Sequence, residues 1–559
     1  MMSFSSTPAT GLRDSKGSIN WSSSSFITTN GNQDRMKVII PMAGMGKRFL
    51  RAGYPTPKPL IRIEGMPIVE HIVRNFPQED QFVFGVNHFH QEETDIKKIL
   101  DELVPDKIIH SMPYQIDGPI GTVRELFRYV EDQEPVIVNY CDFSWVWDYS
   151  DFKKAVYDPS CDGAVVCYRG FHPHLLGPNL YATLRVKNGW MEEIREKHSW
   201  HESKMQDWTS SGTYFFKKGK LIKKYFMEIE KKPELKINGE FYVSQIFQLM
   251  KEDGLNILVY EIPFMLQWGT PEDLEEYQFW SNLFQKKSEM RSNEVSNKMD
   301  VLILMAGAGN RFALEHYPVP KPCIPVDQKP MAISAALSLP RGERVFFVTR
   351  EDLQSDEFEK EVVHHFPEAR FISLSYQTEG QACTAMAAES SITANRPLLI
   401  GACDHGMIFS KEKFAQMTAA DSQVDAMIFT IRQYPMARRK PHAYGWVETG
   451  EKSTRTVHVS VKVPLPGDPY QHHVVLGAFW FREAGMFFSH ARQMIKENKR
   501  VNGEFYIDEC MNDLIKAGLR VHVFEVESYA PWGTPDELKT YEYWSDFFNQ
   551  ASFHPYRKN

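Results

Sequence analysis

Cysteine is scarce in this sequence, and no two cysteines are spaced as C-x-x-C. The chain has 7 cysteines among 559 residues. This argues against a disulfide framework or a structural zinc site, and it favours a reducing compartment. No apolar run approaches the length of a membrane span. We therefore expect a cytoplasmic protein that does not associate with membranes.

The chain also lacks an excess of positive charge. Its 64 basic and 72 acidic residues give a net charge of −8. This argues against a general nucleic-acid or membrane-surface binder, although it leaves room for a small basic pocket that holds phosphates. A chain of this length is too long for one hydrophobic core, so we expect two or more domains.

The N-terminal segment lacks the apolar core of a secretion signal. It is rich in Ser, Thr, Asn and Gly, as in WSSSSFITTNGNQ at 21–33. We predict a disordered tail over 1–36. A transit peptide is the minor alternative, because the segment is rich in serine but poor in arginine and contains acidic residues.

What the sequence does contain is a long internal repeat, in which the second half echoes the first at an offset of about 263 residues. The paired segments are IIPMAGMGKRF and LILMAGAGNRF, YPTPKPLIRIEGMPI and YPVPKPCIPVDQKPM, IVNYCDF and LIGACDH, SSGTYFF and VLGAFWF, INGEFYV and VNGEFYI, and WGTPEDLEEYQFWS and WGTPDELKTYEYWS. The order is kept throughout, which indicates two whole domains. We predict a first domain over 37–281, a linker over 282–299 and a second domain over 300–547.

Short apolar runs alternate with helix-like stretches within each half. KVII and VIVNY read as buried strands in the first half, and VLILM and PLLIGA do so in the second. Such strands, separated by helical segments, predict an α/β fold whose mostly parallel sheet carries helices on both faces. Each half then has a glycine loop directly after its first strand.

The glycine loop matches neither of two common phosphate-binding motifs. A Walker P-loop requires Ser or Thr after Gly-Lys, but Arg48 follows Lys47 here. A dinucleotide fingerprint requires a third glycine, where this chain has Phe49 and Phe312. A glycine turn between strand and helix can hold phosphate oxygens on backbone N–H groups, or it can be a tight turn with no ligand.

A basic pattern follows the loop in both halves and favours the phosphate interpretation. Arg48 and Arg311 stand two residues after the second glycine, and Lys58 and Lys321 lie ten residues further on in Pro-Lys-Pro. Arginine offers a planar fork for phosphate oxygens, and lysine offers a point charge. Two cations beside a row of amides predict a polyphosphate site.

The combined motif, M-A-G-x-G-x-R-F followed by P-K-P, resembles the sugar-phosphate nucleotidyltransferase family, also called nucleotide-sugar pyrophosphorylases. The resemblance covers 37–281 and 300–545. It implies two tandem domains of the glycosyltransferase-A type. It also implies an enzyme whose partners are a nucleoside triphosphate and a phosphorylated small-molecule acceptor, with Mg²⁺ as cofactor. The resemblance does not decide whether the protein forms an oligomer.

The resemblance assigns the nucleotide side of each site. Arg48, Lys58 and Asp142, and Arg311, Lys321 and Asp404, are expected to be catalytic, and the two aspartates are expected to bind Mg²⁺. A helix-capping role is the alternative for these aspartates. The residues expected to bind the nucleotide are Ala43, Gly44, Gly46, Gln115, Gly118, Thr122, Ala306, Gly307, Gly309, Gln377, Gly380 and Thr384.

The acceptor side of the two halves differs. The expected acceptor-binding residues are Glu196, Lys197, Gly212, Glu240, Lys462, Gly477 and Glu504. Val461 stands where the first half has Glu196 and cannot accept a hydrogen bond, so we expect the second pocket to bind something different or to bind it more weakly. Gln267 and Pro531 stand where many relatives carry a second metal-binding aspartate, which puts a two-aspartate metal site in doubt.

Three functions remain open at this point. The first is a nucleotidyltransferase with two working halves that serves nucleotide-sugar or polysaccharide synthesis. The second is an enzyme with one catalytic half and one regulatory half. The third is a non-catalytic sensor of nucleotide sugars. The sequence does not identify the base or the acceptor.

Overall fold

A computed structural model describes residues 35–76, 81–113, 118–289, 297–353 and 355–558. Nearly all of the predicted tail, and the central part of the predicted linker, lie outside the described residues. Within the described ranges, no helix is both long and apolar enough to cross a membrane.

The first half alternates buried strands with helices, which confirms the predicted α/β class. Strand β1 is almost entirely buried because both faces of the sheet are covered. The elements in chain order are β1 Lys37–Met42, α1 Lys47–Arg51, β2 Arg62–Ile63, β3 Met66–Pro67, α2 Ile68–Arg74, β4 Gln81–Asn87, α3 His88–Glu93, α4 Ile96–Leu103, β5 Lys107–Met112, α5 Gly118–Glu125, β6 Val136–Asn139, β7 Phe143–Val146, α6 Tyr149–Val156, β8 Gly163–Tyr168, β9 Ala182–Lys187, β10 Trp190–Glu196, β11 Trp208–Phe216, α7 Gly219–Ile229, α8 Val243–Glu252, β12 Ile257–Glu261, β13 Phe264–Gln267 and α9 Pro271–Glu289.

The second half repeats this succession. Alternate residues of its first strand face opposite sides of the sheet, so Val301 and Ile303 join one apolar core and Leu302 joins another. Its elements are β14 Asn297–Leu304, α10 Asn310–Leu314, β15 Pro325–Val326, β16 Lys329–Pro330, α11 Met331–Ser338, β17 Gly342–Arg350, α12 Asp356–His365, β18 Arg370–Leu374, α13 Gln381–Met386, β19 Leu398–Ala402, β20 His405–Ile408, α14 Lys411–Thr418, β21 Ala426–Ile431, α15 Met436–Arg439, β22 Gly445–Thr449, β23 Thr456–Val461, β24 His473–Phe481, α16 Ala484–Lys496, α17 Ile507–Lys516, β25 Val521–Glu525, β26 Ser528–Pro531 and α18 Pro535–Gln550.

The main sheets of the two halves share one strand order. The first runs β5-β4-β1-β6-β11-β8-β12, and the second runs β18-β17-β14-β19-β24-β21-β25. The strands before β11 and β24 in these orders are parallel, whereas β11 and β24 run antiparallel to both of their neighbours. Each sheet is therefore mixed rather than parallel throughout, because these two strands follow the hairpins β9–β10 and β22–β23 instead of a crossover helix.

Two compact units divide the chain. The first unit comprises 1–274 and 546–559, and the second comprises 275–545. Helix α9 begins in the first unit and continues in the second, so it occupies the start of the segment predicted as a linker. Strand β14 begins at Asn297, before the predicted end of that linker.

Candidate functional site

A glycine loop joins the first strand to the first helix in each unit. Gly46 has φ 60° and Gly309 has φ 65°, in the left-handed region that favours glycine. A Cβ added to Gly46 would lie 3.6 Å from the Cβ of Lys58, and one added to Gly309 would lie 3.2 Å from the Cβ of Lys321. Each loop therefore packs directly against its Pro-Lys-Pro segment.

The lysine of each Pro-Lys-Pro segment reaches an aspartate. Lys58 Nζ lies 3.2 Å from Asp142 Oδ2, and Lys321 Nζ donates a hydrogen bond of 2.6 Å to Asp404 Oδ2. The aspartates follow β6 and β19, which run parallel to β1 and β14. The carboxyl ends of these strands therefore meet at one edge of each sheet, where open α/β sheets place their ligands.

The remaining residues predicted around the loops are arranged alike in both units. Arg48 and Arg311 lie exposed in the short helices α1 and α10. Gly44 and Gly307 are also exposed. Ala43 and Ala306 are buried beneath the loops. The arginine and the first glycine of each predicted polyphosphate site are therefore open to solvent, and the second glycine is partly exposed.

The lysine–aspartate pair is held more tightly in the second unit. Lys321 also donates a hydrogen bond of 3.1 Å to the carbonyl oxygen of Gly533, and Nδ1 of the buried His405 lies 3.4 Å from Asp404 Oδ1. Burial opposes ionisation of Asp404, but the charge of Lys321 and the contact with His405 outweigh it and hold the pKa of this carboxyl well below its usual range. The first unit has Phe143 at the position of the histidine.

A second carboxylate approaches each aspartate, and the sequence analysis did not include it. A Cβ added to Gly269 would lie 3.6 Å from both Asp142 Oδ2 and Asp273 Oδ2. The repeat places Gly533 and Glu537 at the same positions in the second unit. A Cβ on Gly533 would lie 3.3 Å from Asp404 Oδ2 and 3.2 Å from Glu537 Oε2.

Thr270 and Asp273 form a reciprocal cap at the start of helix α9. The backbone N–H of Thr270 donates a hydrogen bond of 2.8 Å to Asp273 Oδ2, and that of Asp273 donates one of 3.2 Å to Thr270 Oγ1. At the start of α18 the Thr534 hydroxyl donates to Glu537 Oε2 at 3.1 Å. The signal in the sequence was an acid three residues after the threonine in both GTPED and GTPDE.

A tyrosine faces this acidic pair in each unit and was likewise missed. Burial raises the pKa of Tyr181 well above its usual range, and the negative charges of Asp273 and Asp142 add to the effect. The Tyr444 hydroxyl donates a hydrogen bond of 3.4 Å to Glu537 Oε1. The repeated pairs Tyr-Ala and Tyr-Gly, directly before β9 and β22, mark this position in the sequence.

One cavity of about 370 Å³ gathers most of the residues predicted for the second half. The predicted residues that line it are Ala306, Gly307, Gly309, Arg311, Lys321, Gln377, Gly380, Thr384, Asp404, Gly477 and Glu504. Lys462 is not among its lining residues. The structure therefore brings the loop, lysine, aspartate and base segment of this half to a single space.

The corresponding base segment of the first half is described in part. Gln115 lies outside the described residues. Gly118 begins helix α5, and Thr122 is buried within that helix. The roles predicted for these three residues remain predictions.

The Gly380→Ala variant is expected to destabilise the second unit by roughly 3 kcal/mol, because it adds both backbone strain and a clash. Gly380 has φ 124°, and a Cβ there would lie 2.6 Å from the backbone N and O of Phe505. Denaturant unfolding measures the loss. The matched control is Gly518→Ala, because Gly518 has φ 84° and a Cβ there meets no described atom within 4 Å. The control should lose about 1 kcal/mol, and equal losses in the two variants would contradict the prediction.

The lysines predicted to bind the acceptor have an unusual backbone in both units. Lys197 and Lys462 follow β10 and β23 with φ of 52° and 61°, which costs free energy and is often found at functional sites. Lys197 Nζ donates a hydrogen bond of 3.4 Å to the hydroxyl of Tyr242. Lys462 Nζ lies 5.4 Å from the centre of the Tyr506 ring. Both tyrosines end the NGEFY segment, so each unit places a lysine over the same tyrosine.

The acid of the first acceptor pocket is hydrogen-bonded within the protein. The Ser244 hydroxyl donates to Glu196 Oε1. Burial raises the pKa of Glu196, and the hydrogen bond from Ser244 and the charge of Lys197 offset part of this rise. Val461 is buried at the corresponding position.

The other residues predicted for the acceptor side lie at the sheet edge or on the surface. Gly212 has φ 101° and Gly477 has φ 70°. A Cβ on Gly212 would lie 2.9 Å from the ring of Phe143, so this position requires glycine. Glu240 and Glu504 are exposed.

Comparison with known proteins finds similarity over less than half of the chain. Residues 38–202 match the model of a MobA-like NTP transferase domain. The chain is 23% identical over 226 residues to the bifunctional protein GlmU of Bartonella bacilliformis, covering 40% of this chain and 48% of the relative. The chain thus spans about half the length of this curated relative.

Solved structures resemble the chain over a similar share of its length. A nucleoside-diphosphate-sugar pyrophosphorylase from Vibrio cholerae RC9 is 22% identical and covers 43% of this chain and 98% of its own, with a TM-score of 0.36. The inositol-1-phosphate CTP transferase of T. maritima is 16% identical. It covers 46% of this chain and 100% of its own, with a TM-score of 0.35.

The matched range contains the motifs of the first half. The glycine loop, Lys58 and Asp142 all lie inside the matched range. They occupy the loop and strand ends that form the candidate site of the first unit. Residues 38–202 are thus similar to a MobA-like NTP transferase domain, in agreement with the resemblance noted in the sequence.

Proposed function

We propose that each half of this chain transfers a nucleoside monophosphate from a nucleoside triphosphate to a phosphorylated acceptor and releases pyrophosphate. The observation that carries the proposal is the lysine–aspartate pair beneath a glycine loop, which occurs once in each unit. A hydroxyl-bearing acceptor such as a sugar phosphate suits the pocket around Glu196 and Lys197. Two different acceptors would make the chain bifunctional.

The residues present suit a reaction that depends on positioning and charge. A phosphate oxygen of the acceptor attacks the α-phosphorus in line, and the bond to pyrophosphate breaks. Because the attacking phosphate is already ionised, no strong general base is required. Arg48 and Lys58 would neutralise the triphosphate, and backbone N–H groups of the loop would orient it. Burial opposes the charge on Lys58, but Asp142 raises its pKa, so it stays cationic.

The acidic residues of each unit fit Mg²⁺. This ion is commonly held by one or two carboxylates, with phosphate oxygens and water completing the octahedron. Asp142 with Asp273, and Asp404 with Glu537, would hold it. Within the described residues no group of three or more His, Cys, Asp or Glu side chains could hold a metal, so triphosphate oxygens would complete the site. When bound, the ion supplies positive charge to those oxygens.

A chain with one catalytic half and one regulatory half is the second candidate. The tighter contacts of Lys321 and Asp404 favour it, since a cation has to displace more contacts there than at Lys58 and Asp142. In this alternative the second half binds nucleotide and releases no pyrophosphate.

The direct test is a matrix of the four ribonucleoside triphosphates against glucose 1-phosphate, inositol 1-phosphate and glycerol 3-phosphate, with pyrophosphate release as the readout. We expect release with at least one pair when Mg²⁺ is present and none after a chelator is added. Triphosphate binding without release by any pair would contradict the proposed reaction and favour the nucleotide-sugar sensor.

A further inference from the structure

Three positions around the acceptor pocket change together between the two halves. In the first half, Ala182 pairs with Glu196 across the hairpin β9–β10, and Ser244 at the start of α8 donates its hydroxyl hydrogen bond to Glu196. The second half has Gly445 paired with Val461 across β22–β23. It has Asp508 at the start of α17, where the NGEFY repeat aligns it with Ser244.

The glycine of the second half makes room for the new acid. A Cβ added to Gly445 would lie 2.3 Å from Asp508 Oδ2, which no real contact allows. The Asp508 carboxylate therefore occupies the volume that the methyl group of Ala182 fills in the first half. An alanine at position 445, as in the first half, would force the Asp508 carboxylate to move, so Asp508 in this position depends on Gly445.

The Asp508 carboxylate is buried, and its own backbone N–H donates a hydrogen bond to it. Asp508 is 6% exposed, and no other described residue donates a hydrogen bond to it. A buried carboxylate with so few donors costs free energy, which is acceptable where a ligand supplies a further donor. Burial raises its pKa to about 6, while the charge of Lys462 and the hydrogen bond from its own backbone N–H lower it and the charge of Glu509 raises it.

Lys462 connects this acid to the candidate site. Burial lowers the pKa of Lys462, the charges of Asp508 and Glu504 raise it, and that of Arg311 lowers it. Arg311 and Glu504 line the cavity that also holds the glycine loop. The acid thus lies beside the lysine predicted to bind the acceptor, as Glu196 lies beside Lys197 in the first half.

We infer that Asp508 supplies, from the helix side of the pocket, the hydroxyl-binding carboxylate that Glu196 supplies from the strand side. This inference rests on the proposed function. It gives the second half an acceptor pocket for a hydroxyl-bearing phosphorylated compound, although Val461 removes the acid from the strand. Because this carboxylate comes from a helix rather than a strand and is carried by a shorter side chain, we expect the two halves to differ in which acceptor hydroxyl they select.

The test uses the full chain carrying Asp142→Ala and Lys197→Ala, so that the first half is silent. Adding Asp508→Asn should raise the KM for glucose 1-phosphate or inositol 1-phosphate at least about tenfold, the loss of one hydrogen bond to a charged group. The KM for the triphosphate should stay within about twofold. Glu509→Gln, an acid-to-amide change at the next residue of α17, is the control and should leave both values unchanged. The KM for ethyl phosphate, which has no hydroxyl group, should be the same with and without Asp508→Asn.

Thermal unfolding separates this binding role from a structural one. A buried acid with a raised pKa destabilises the fold, and this penalty is absent below the ordinary value of 3.8, grows as pH rises from there to about 6 and is complete above. Asp508→Asn should therefore raise Tm at pH 8 more than at pH 5, while acceptor binding is lost. An unchanged KM would overturn the inference, and a destabilised Asp508→Asn protein at pH 8 would do the same by showing a structural role.

The transplanted arrangement gives a second, independent measurement. The variant Gly445→Ala, Val461→Glu and Asp508→Ser places the first-half residues in the second half, and its acceptor preference should move towards that of the first half. If the chain carrying only Asp142→Ala and Lys197→Ala releases no pyrophosphate with any substrate pair, the proposed reaction of the second half is wrong. Calorimetric titration of glucose 1-phosphate and inositol 1-phosphate then decides the inference, since equal affinity with and without Asp508→Asn contradicts it.

Discussion

Replacing Lys58 with alanine is expected to reduce pyrophosphate release by the first half at least about a hundredfold, or ~2.7 kcal/mol of transition-state stabilisation. Lys58 lies beneath the glycine loop and 3.2 Å from Asp142, so its ammonium group is placed where triphosphate oxygens meet the acidic residues. Charge accumulates on those oxygens as the bond to pyrophosphate breaks. Turnover is measured with the substrate pair of the first half, in a chain silenced in the second half by Asp404→Ala.

The control for Lys58→Ala is Lys223→Ala. Lys223 forms an ion pair of 2.8 Å with Asp132, both partly exposed, so the control also breaks a lysine–aspartate contact but lies outside the site. It should retain nearly full turnover because exposed pairs contribute little. A Lys58→Ala protein that unfolds at the wild-type temperature yet turns over at the wild-type rate would refute the role of Lys58.

The same change in the second half distinguishes the two candidate functions. If the second half is catalytic, Lys321→Ala should lower its turnover by a similar factor in a chain carrying Asp142→Ala. If that half is regulatory, Lys321→Ala should weaken triphosphate binding and change the turnover of the first half instead. Lys516→Ala is the control, since Lys516 is largely exposed and lies 3.8 Å from Asp513.

The internal repeat is the reason that much of the site could be predicted from the sequence. Each copy supported the interpretation of the other, so the glycine loop, the lysine and the aspartate could be assigned as one unit. The structure places Lys58 against Asp142 and Lys321 against Asp404. Parallel neighbouring strands are enough to explain this, because their carboxyl ends share one edge of the sheet.

The approach of Asp273 and Glu537 could not be predicted in the same way. It depends on two long-range antiparallel pairs, β13 with β7 and β26 with β20. These pairs bring the glycine that follows β13 or β26 beside the aspartate, and in the first unit the Trp268 N–H donates to the Asp142 carbonyl at 2.9 Å. Local sequence shows a helix cap at this point, and the partner across the sheet is set by tertiary structure.

The acid that we infer for the second acceptor pocket also could not be predicted from the sequence alone. Aligning the halves by residue indicated that Val461 removes an acid, which is true of that position. The register of β22 with β23 and the packing of α17 are needed to see that Asp508 reaches the place from another element. In the inferred arrangement each half keeps one carboxylate near its lysine, and a different element of the fold supplies it.

The Asp142→Ala and Asp404→Ala variants are expected to have the largest effects, each abolishing at least about 99% of the turnover of its own half. Each aspartate is positioned by its strand, contacted by the lysine and accompanied by a second carboxylate. Removing it leaves Asp273 or Glu537, both tied to the start of a helix, as the remaining acid. Turnover and Mn²⁺ binding, read by electron paramagnetic resonance with the triphosphate present, should therefore fall together.

The variants Asp273→Asn and Glu537→Gln decide how many carboxylates each half uses. An amide keeps a carbonyl oxygen but loses the charge, so Mn²⁺ affinity should fall about tenfold, less than in the aspartate variants. The cap at Thr270 can still form in Asp273→Asn, because asparagine also caps helices well, and Tm should change little. Unchanged Mn²⁺ affinity in both amide variants would confine the metal to Asp142 and Asp404. If Mn²⁺ affinity falls in Asp273→Asn but not in Glu537→Gln, the lysine contacts of Asp404 exclude the cation from the second half. This is the behaviour expected of a regulatory second half.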